Sequence, residues 1–262
     1  MRVGSLVPAG TYHYEGDDVV TGWHHHDLHQ VEYALEGIAE VETEGGHYLL
    51  PPAQAIWIPA GLAHNTTLRR VRSVAVFFDP RTITTFDERA RVLAASPLLR
   101  EMMTYAIRWP IGRRTSDAEA DAFFEALRVV TVEALDREAP LWLPTSTDAL
   151  VRAAMEHTRA HLDQEIAEVC AAIGCSPRTL RRRFHDATAW TWQDYRRAAR
   201  VIAAMLHLAT HDTTVARAAV DAGFESVTSF SRAFTRATGE TPSAYRARAR
   251  GYLRASTRSN PV

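Results

Sequence analysis

The stretch "VARAAVDAGFESVTSFSRAFTRATGETPSAYR", residues 215–246, restates one that came earlier, "IAEVCAAIGCSPRTLRRRFHDATAWTWQDYR", residues 166–196. Gly174 lies 49 residues before Gly223. Phe184, Thr188, Thr191, Tyr195 and Arg196 each lie 50 residues before their counterparts Phe234, Thr238, Thr241, Tyr245 and Arg246. One extra residue in the second turn accounts for the change of offset. Each copy opens with a short Ala-rich helix and then a glycine, where the chain can take a positive φ. Ser176 or Ser226 follows and caps a second helix. That grammar predicts two helix-turn-helix units, whose second helices enter the major groove of DNA. "TWQDYRRAARVIAAMLHLA" between them reads as a helix that holds the two units apart. Two copies in one chain can reach successive major-groove faces, about 34 Å apart.

The second helices show which side chains are free to reach out. In "SPRTLRRRF" Leu180 and Phe184 stand one turn apart and face inward, leaving Arg178, Arg181 and Arg182 outward. In "SVTSFSRAF" Phe230 and Phe234 face inward, leaving Thr228, Ser231 and Arg232 outward. Arginine can bond guanine O6 and N7 in bidentate fashion, and Ser or Thr can meet bases or phosphates. "AGFESVTSFSRAFTRATGETPSAYR", residues 222–246, resembles the signature of the AraC/XylS family of bacterial transcription regulators. The resemblance extends over about 115 residues, from about 148 onward. It implies a two-lobed, seven-helix DNA-binding domain in which the six outward residues read bases. The first copy departs from the pattern at Ala189 and Trp192, where the second has Gly239 and Pro242.

Charge follows the same division. Residues 1–147 hold 13 Arg and 20 acidic residues, whereas 148–262 hold 17 Arg and 11 acidic residues. An acidic part is joined to a basic part able to meet phosphate. "APLWLPTSTD", with Pro140, Pro144 and a Ser/Thr cluster, reads as a linker over 139–147 that ends in a helix cap at Asp148. Upstream, residues 1–80 read as short strands: "YHYEG", "VEYALEGIAEVETEGGHYLL", "AIWIPAG" and "VAVFF", which predicts a small barrel or sandwich. Residues 85–108 and 117–138 fit the helical period, as in Phe123, Phe124, Leu127, Val130 and Leu135. These helices are expected to cover the barrel and to pair two subunits.

The N-terminal part also holds "GWHHHDLHQVEYALEG", residues 22–37. Alternation along a strand puts His24 and His26 on one face and His25 on the other, and counting on by two reaches Gln30. "PAGLAH", residues 59–64, brings His64 after a Pro-x-Gly turn. The spacing of His24, His26, Gln30 and Gly37, with Pro59, Gly61 and His64, resembles the two cupin motifs. The resemblance implies metal ligands at His24, His26, Gln30 and His64. Gln30 stands where that family usually has glutamate, and Leu68 where asparagine is common. Three imidazoles and an amide suit a divalent transition metal such as Zn, Ni or Fe. A metal-free pocket for a small-molecule effector and a purely structural cluster are the other readings. His25, His29 and His47 are expected at the surface or behind the ligands.

The composition is that of a globular protein. Without an apolar run near the ~20 residues of a membrane helix or the pattern of a secretion signal, a cytoplasmic protein is expected. Cys170 and Cys175, the only cysteines, are too few for a disulfide framework and fit no zinc finger, so packed thiols are expected. The fold expected is α+β: an N-terminal cupin β-barrel over 1–80, covering helices over 81–138 and an all-α double helix-turn-helix domain over 148–262. The function expected is a non-enzymatic, sequence-specific transcription regulator controlled by a metal ion or small molecule. Its expected partners are double-stranded DNA, a second copy of itself and RNA polymerase. The alternatives are a cupin metalloenzyme coupled to DNA binding and a regulator whose cupin serves only to dimerise.

Overall fold

The computed structural model describes residues 7–258 apart from 51–53, 84–87, 115–116, 140 and 211. It divides into two compact units, formed largely by residues 1–140 and 141–250. The first unit is built on strands β1 (Ala9–Gly16), β2 (Val19–Val20), β3 (His29–Thr43), β4 (Gly46–Leu50), β5 (Gln54–Ile58), β6 (His64–Phe78), β7 (Arg91–Ala94) and β8 (Glu138–Ala139). They pair in the order β1-β6-β3-β5-β7-β8, with β2 against β6 and β4 against β3. Among the described residues no pairing joins β1 to β8, so the sheet is open where a closed barrel was expected.

Register decides what each face carries. Gln30 pairs with Ile58 and Phe77, and Glu32 with Ile56 and Ala75. One face therefore holds Gln30, Glu32, Ile56, Ile58, Ala75 and Phe77, and the other Val31, Tyr33, Trp57, Val74 and Val76. Helices α1 (Pro97–Ala106) and α2 (Ala118–Leu135) pack on the second face through Leu99, Met103, Phe124 and Leu127. Ser96 caps α1 through the amide of Leu99, and Asp117 caps α2 through those of Glu119 and Ala120.

Two sequence expectations need correction here. The helix expected over 85–108 begins only at Pro97, and residues 84–87 lie outside the described set. Arg91–Ala94 is instead β7, paired with β5 from Gln54↔Ala94 to Trp57↔Arg91. "RVLAAS" suits a helix locally, but the exposed edge of β5 offers it four ladder positions, and that distant pairing prevails. The linker over 139–147 likewise contains a two-residue strand, β9 (Leu143–Pro144).

The second unit is helical: α3 (Ala149–Ala160), α4 (Ile166–Ile173), α5 (Pro177–Thr188), α6 (Trp192–Thr210), α7 (Val215–Asp221), α8 (Val227–Thr238) and α9 (Pro242–Arg258). Asp148 caps α3 and also takes a bond from Arg183 of α5, Nη2 to Oδ2 at 2.6 Å. The internal repeat is a repeat of packing. Phe184 meets Tyr195 edge-on at 5.4 Å, and Phe234 meets Tyr245 at 5.5 Å. Arg196 donates to the Asp163 carbonyl ahead of α4, and Arg246 to the Thr213 carbonyl ahead of α7. Among the described residues no helix is long and apolar enough to cross a membrane.

Candidate functional site

In both helix pairs the turn fixes where the second helix points. Ser176 Oγ accepts from the amide of Thr179 at 3.1 Å, and Ser226 Oγ from that of Ser229 at 3.1 Å. Leu180, Phe184, Phe230 and Phe234 are fully buried, which rotates the opposite side of α5 and α8 outward. Arg178, Arg181, Arg182, Thr228 and Arg232 are exposed there, while Ser231 is half-buried. Arg182 lies 3.9 Å from Asp186, a loose ion pair between two exposed groups that leaves the guanidinium available.

The first unit carries the histidines. Residues 21–28 do not form the continuous strand expected for them. A single bridge ties His24 to His64 through amide-to-carbonyl bonds of 3.0 and 2.9 Å. The outcome for side chains follows the alternation all the same: His26 is buried, His24 half-buried and His25 exposed. Ring centroids lie 4.3 Å apart for His24–His64, 5.1 Å for His26–His64 and 6.2 Å for His24–His26. His29 departs from expectation: it is buried, stacks on Trp57 at 4.6 Å, accepts from the Ala60 amide and contacts the Ile83 carbonyl. It belongs to the packing between strands and loops.

Backbone carbonyls set the chemistry of the cluster. Nδ1 of His24, His26 and His64 lies 2.9, 2.7 and 2.8 Å from the carbonyls of Gly22, Leu28 and Leu62. A carbonyl can only accept, so each Nδ1 carries the hydrogen. In a neutral ring Nε2 is then a lone pair. Burial lowers the pKa of His26 and, with the neighbouring imidazoles of His24, His26 and His25 adding to it, takes His64 down to about 4. His64 Nε2 is buried and has no hydrogen-bond partner.

Behind His26 runs a polar chain that the sequence reading missed in part. His26 Nε2 lies 2.7 Å from Gln30 Oε1, and Gln30 Nε2 donates to Glu32 Oε2 at 2.9 Å. So placed, the chain needs an imidazolium at His26, while Glu32 can accept either as carboxylate or through the carbonyl oxygen of the acid. A half-turn of the amide serves a neutral His26 and a protonated Glu32 equally well. Burial favours that second arrangement, because it raises the Glu32 pKa to about 7. The signal was present in the sequence: Glu32 follows Gln30 by two, on the same face.

His26 Nε2 is committed to Gln30, so the Nε2 lone pairs of His64 and His24 are the ones that suit an electron-poor guest, whether a cation or a hydrogen-bond donor. Their geometry is another matter. Among the described residues no three His, Cys, Asp or Glu side chains are grouped so as to hold a metal ion. Gln30, expected as the fourth ligand, has both ends of its amide committed to His26 and Glu32.

An effector-type sheet domain and a double helix-turn-helix unit define a DNA-binding regulator. The chain belongs to the AraC family of transcription regulators: residues 8–129 match the AraC-like ligand binding domain and residues 169–248 the helix-turn-helix domain model. It is similar to the HTH-type transcriptional regulator NimR of Escherichia coli K12, 26% identical over 94% of this chain and 88% of that one. It is also 34% identical to the transcriptional activator RhaR of the same strain, over 39% of this chain and 37% of that one. Among solved structures, the DNA-binding domain of AdpA in complex with a target DNA is 30% identical over 40% of this chain and 96% of that chain, with a TM-score of 0.37.

Proposed function

We propose that this regulator reads DNA through α5 and α8 and receives its effector at the His24–His26–His64 cluster. The observation that carries the effector site is His64 Nε2, a buried lone pair with no partner beside two further imidazoles. A polar group left unsatisfied in a protein interior costs free energy, and a guest that donates to it, or coordinates it, recovers that cost. The occupant is an organic effector presenting O–H or N–H groups, or a divalent transition metal such as Zn, Ni or Fe. The anchored Nδ1–H groups of His24 and His64 support either, since they hold those two rings in the tautomer that leaves Nε2 open, and a metal would also have to take His26 Nε2 from Gln30. For the second unit, the exposed arginines of α5 and the exposed Thr228 and Arg232 of α8 support base reading. Leu98, Tyr105 and Val129, exposed on α1 and α2, support pairing of two subunits through these helices.

The test combines elemental analysis with calorimetric titration of Zn, Ni and Fe into the full chain and its His25→Ala, His26→Ala, His64→Ala and Gln30→Glu variants. Metal occupancy lost with His26→Ala and His64→Ala, kept with His25→Ala and tightened by Gln30→Glu supports the metal occupant. Absence of metal from the wild-type protein leaves the organic effector, sought by thermal shift against small polar molecules with His64→Ala as control. A ligand whose binding is unaffected by His26→Ala and His64→Ala overturns the assignment of the site.

A further inference from the structure

The chain's two cysteines stand at opposite ends of one turn, the turn between α4 and the recognition helix α5. Gly174 ends α4 with φ 70° and ψ 40°. The amide of Cys175, the next residue, reaches back to the carbonyl of Cys170 at 3.0 Å. This is the six-to-one bond of a Schellman cap, and it brings together the side chains at its two ends. Here those are two thiols. Cys170 is buried and Cys175 half-buried, and both are free.

The second lobe shows that the turn itself does not call for sulfur. Counting on by 49 from Cys170 and Cys175 gives Ala219 and Phe224. The amide of Phe224 makes the same bond to the carbonyl of Ala219, at 2.9 Å. Phe224 then packs on Phe230 at 5.2 Å between ring centroids. An alanine and an aromatic ring meet the packing need there. In the first lobe two thiols occupy those positions, immediately ahead of Ser176, whose Oγ caps α5.

We propose that Cys170 and Cys175 are an oxidation site, a dithiol that closes to a disulfide across the first helix-turn-helix turn under a low-molecular-weight disulfide oxidant. Cys175, the more exposed, attacks one sulfur of the oxidant as thiolate, forming a mixed disulfide and expelling one small thiolate. Cys170 then attacks the Cys175 sulfur and expels the second. The protein loses two electrons and two protons, and the oxidant becomes two small thiols, so the exchange balances. Burial pushes the Cys170 thiol up to about 11, with its hydrogen bond to Cys175 as the second cause. The burial of Cys170 suits it to the resolving role, behind the more exposed Cys175. The positive charge of Arg181, on the recognition helix, acts on the same thiol and pulls its pKa the other way, as the smallest of the causes. Drawing the sulfurs into a bond moves residue 175 and with it the cap at Ser176, so α5 and its arginines shift together.

The experiment treats the full chain with oxidised glutathione under native conditions, then follows mass, thiol alkylation and operator affinity before and after dithiothreitol. The expected result is a loss of two mass units and of both alkylatable thiols. Operator affinity falls at least about fivefold, the order set by disturbing a bidentate base contact, and recovers on reduction. Cys175→Ser should block the closure. So should Cys170→Ala, which copies Ala219 of the second lobe and should fold. A chain that forms only the mixed disulfide, or closes the turn without change in operator affinity, overturns the proposal. So does an equal loss of affinity in both variants.

Discussion

Gly223 lies against the backbone of Leu162: a Cβ at 223 would sit 2.7 Å from the Leu162 carbonyl oxygen and 2.8 Å from its carbon. The same carbonyl accepts from Nε of Arg200 at 2.7 Å and, more weakly, of Arg196 at 3.4 Å. The turn of the second lobe, the loop before α4 and the helix between the lobes thus meet at one oxygen. Gly223→Ala should therefore be worse than Gly174→Ala, although both glycines have φ near 70–78°. At Gly174 a Cβ meets nothing within 4 Å, so only the left-handed backbone is penalised, about 1–2 kcal/mol. At Gly223 overpacking adds roughly 1–3 kcal/mol. Denaturant melts of the two variants decide it, and equal midpoints would count against the contact.

Ala189 is the only non-glycine residue with positive φ among those described, at 59°. It ends α5 where Gly239, at 76°, ends α8. Ala189→Gly relieves the strain of a Cβ in that region at some cost in unfolded-chain entropy. A net gain on the order of 0.5–1 kcal/mol is expected. A melt showing loss of stability would contradict it.

Arg182→Ala and Arg232→Ala should each weaken operator binding by about 1–3 kcal/mol and relax base preference at two places roughly one helical turn apart. Wild-type affinity should also fall steeply with salt, since the arginines of the second unit displace counterions. Binding-site selection with each variant tests the first statement. A uniform loss across all sequences would make these residues phosphate contacts.

Glu32 gives a pH dependence with a definite sign. Its folded-state pKa is raised from 4.5 to about 7. The folded chain keeps the proton over a range where the unfolded chain has released it. Glu32 therefore lowers stability progressively as pH rises from 4.5 to about 7, and no further above that. His64, lowered from 6.5 to about 4, works in the opposite direction over part of that range. The difference between wild type and Glu32→Gln isolates the carboxyl. The variant should be more stable at pH 8 by up to a few kcal/mol and equal to wild type near pH 4. A difference that is constant with pH would show that Glu32 is not held as the acid.

The second unit was legible in the sequence because each of its signals occurs twice. Ser176 and Ser226, Phe184 and Phe234, Tyr195 and Tyr245 each confirm the other, and all act over a few residues. The first unit depends on pairing between distant strands, which local pattern does not report. "RVLAAS" looked helical and pairs with β5; the strands suggested a barrel and the sheet stays open. At the histidines, parity correctly separated His25 from His24 and His26, although a bridge to His64 rather than a strand enforces it. His29 escaped, because its partners Ala60 and Ile83 are 31 and 54 residues away.

Helix α6 runs unbroken from Trp192 to Thr210, with Arg196 and Arg200 near its start fastened to Leu162. One residue added to it would advance the second lobe by about 1.5 Å and swing it about 100° around the axis. Double-stranded DNA turns only about 35° per base pair, at 10–10.5 pairs per turn. No small change in operator spacing follows such a swing. On the proposed reading the two recognition helices are thus held in phase as well as in distance, and a change in the length of this helix costs more than a substitution on its exposed side.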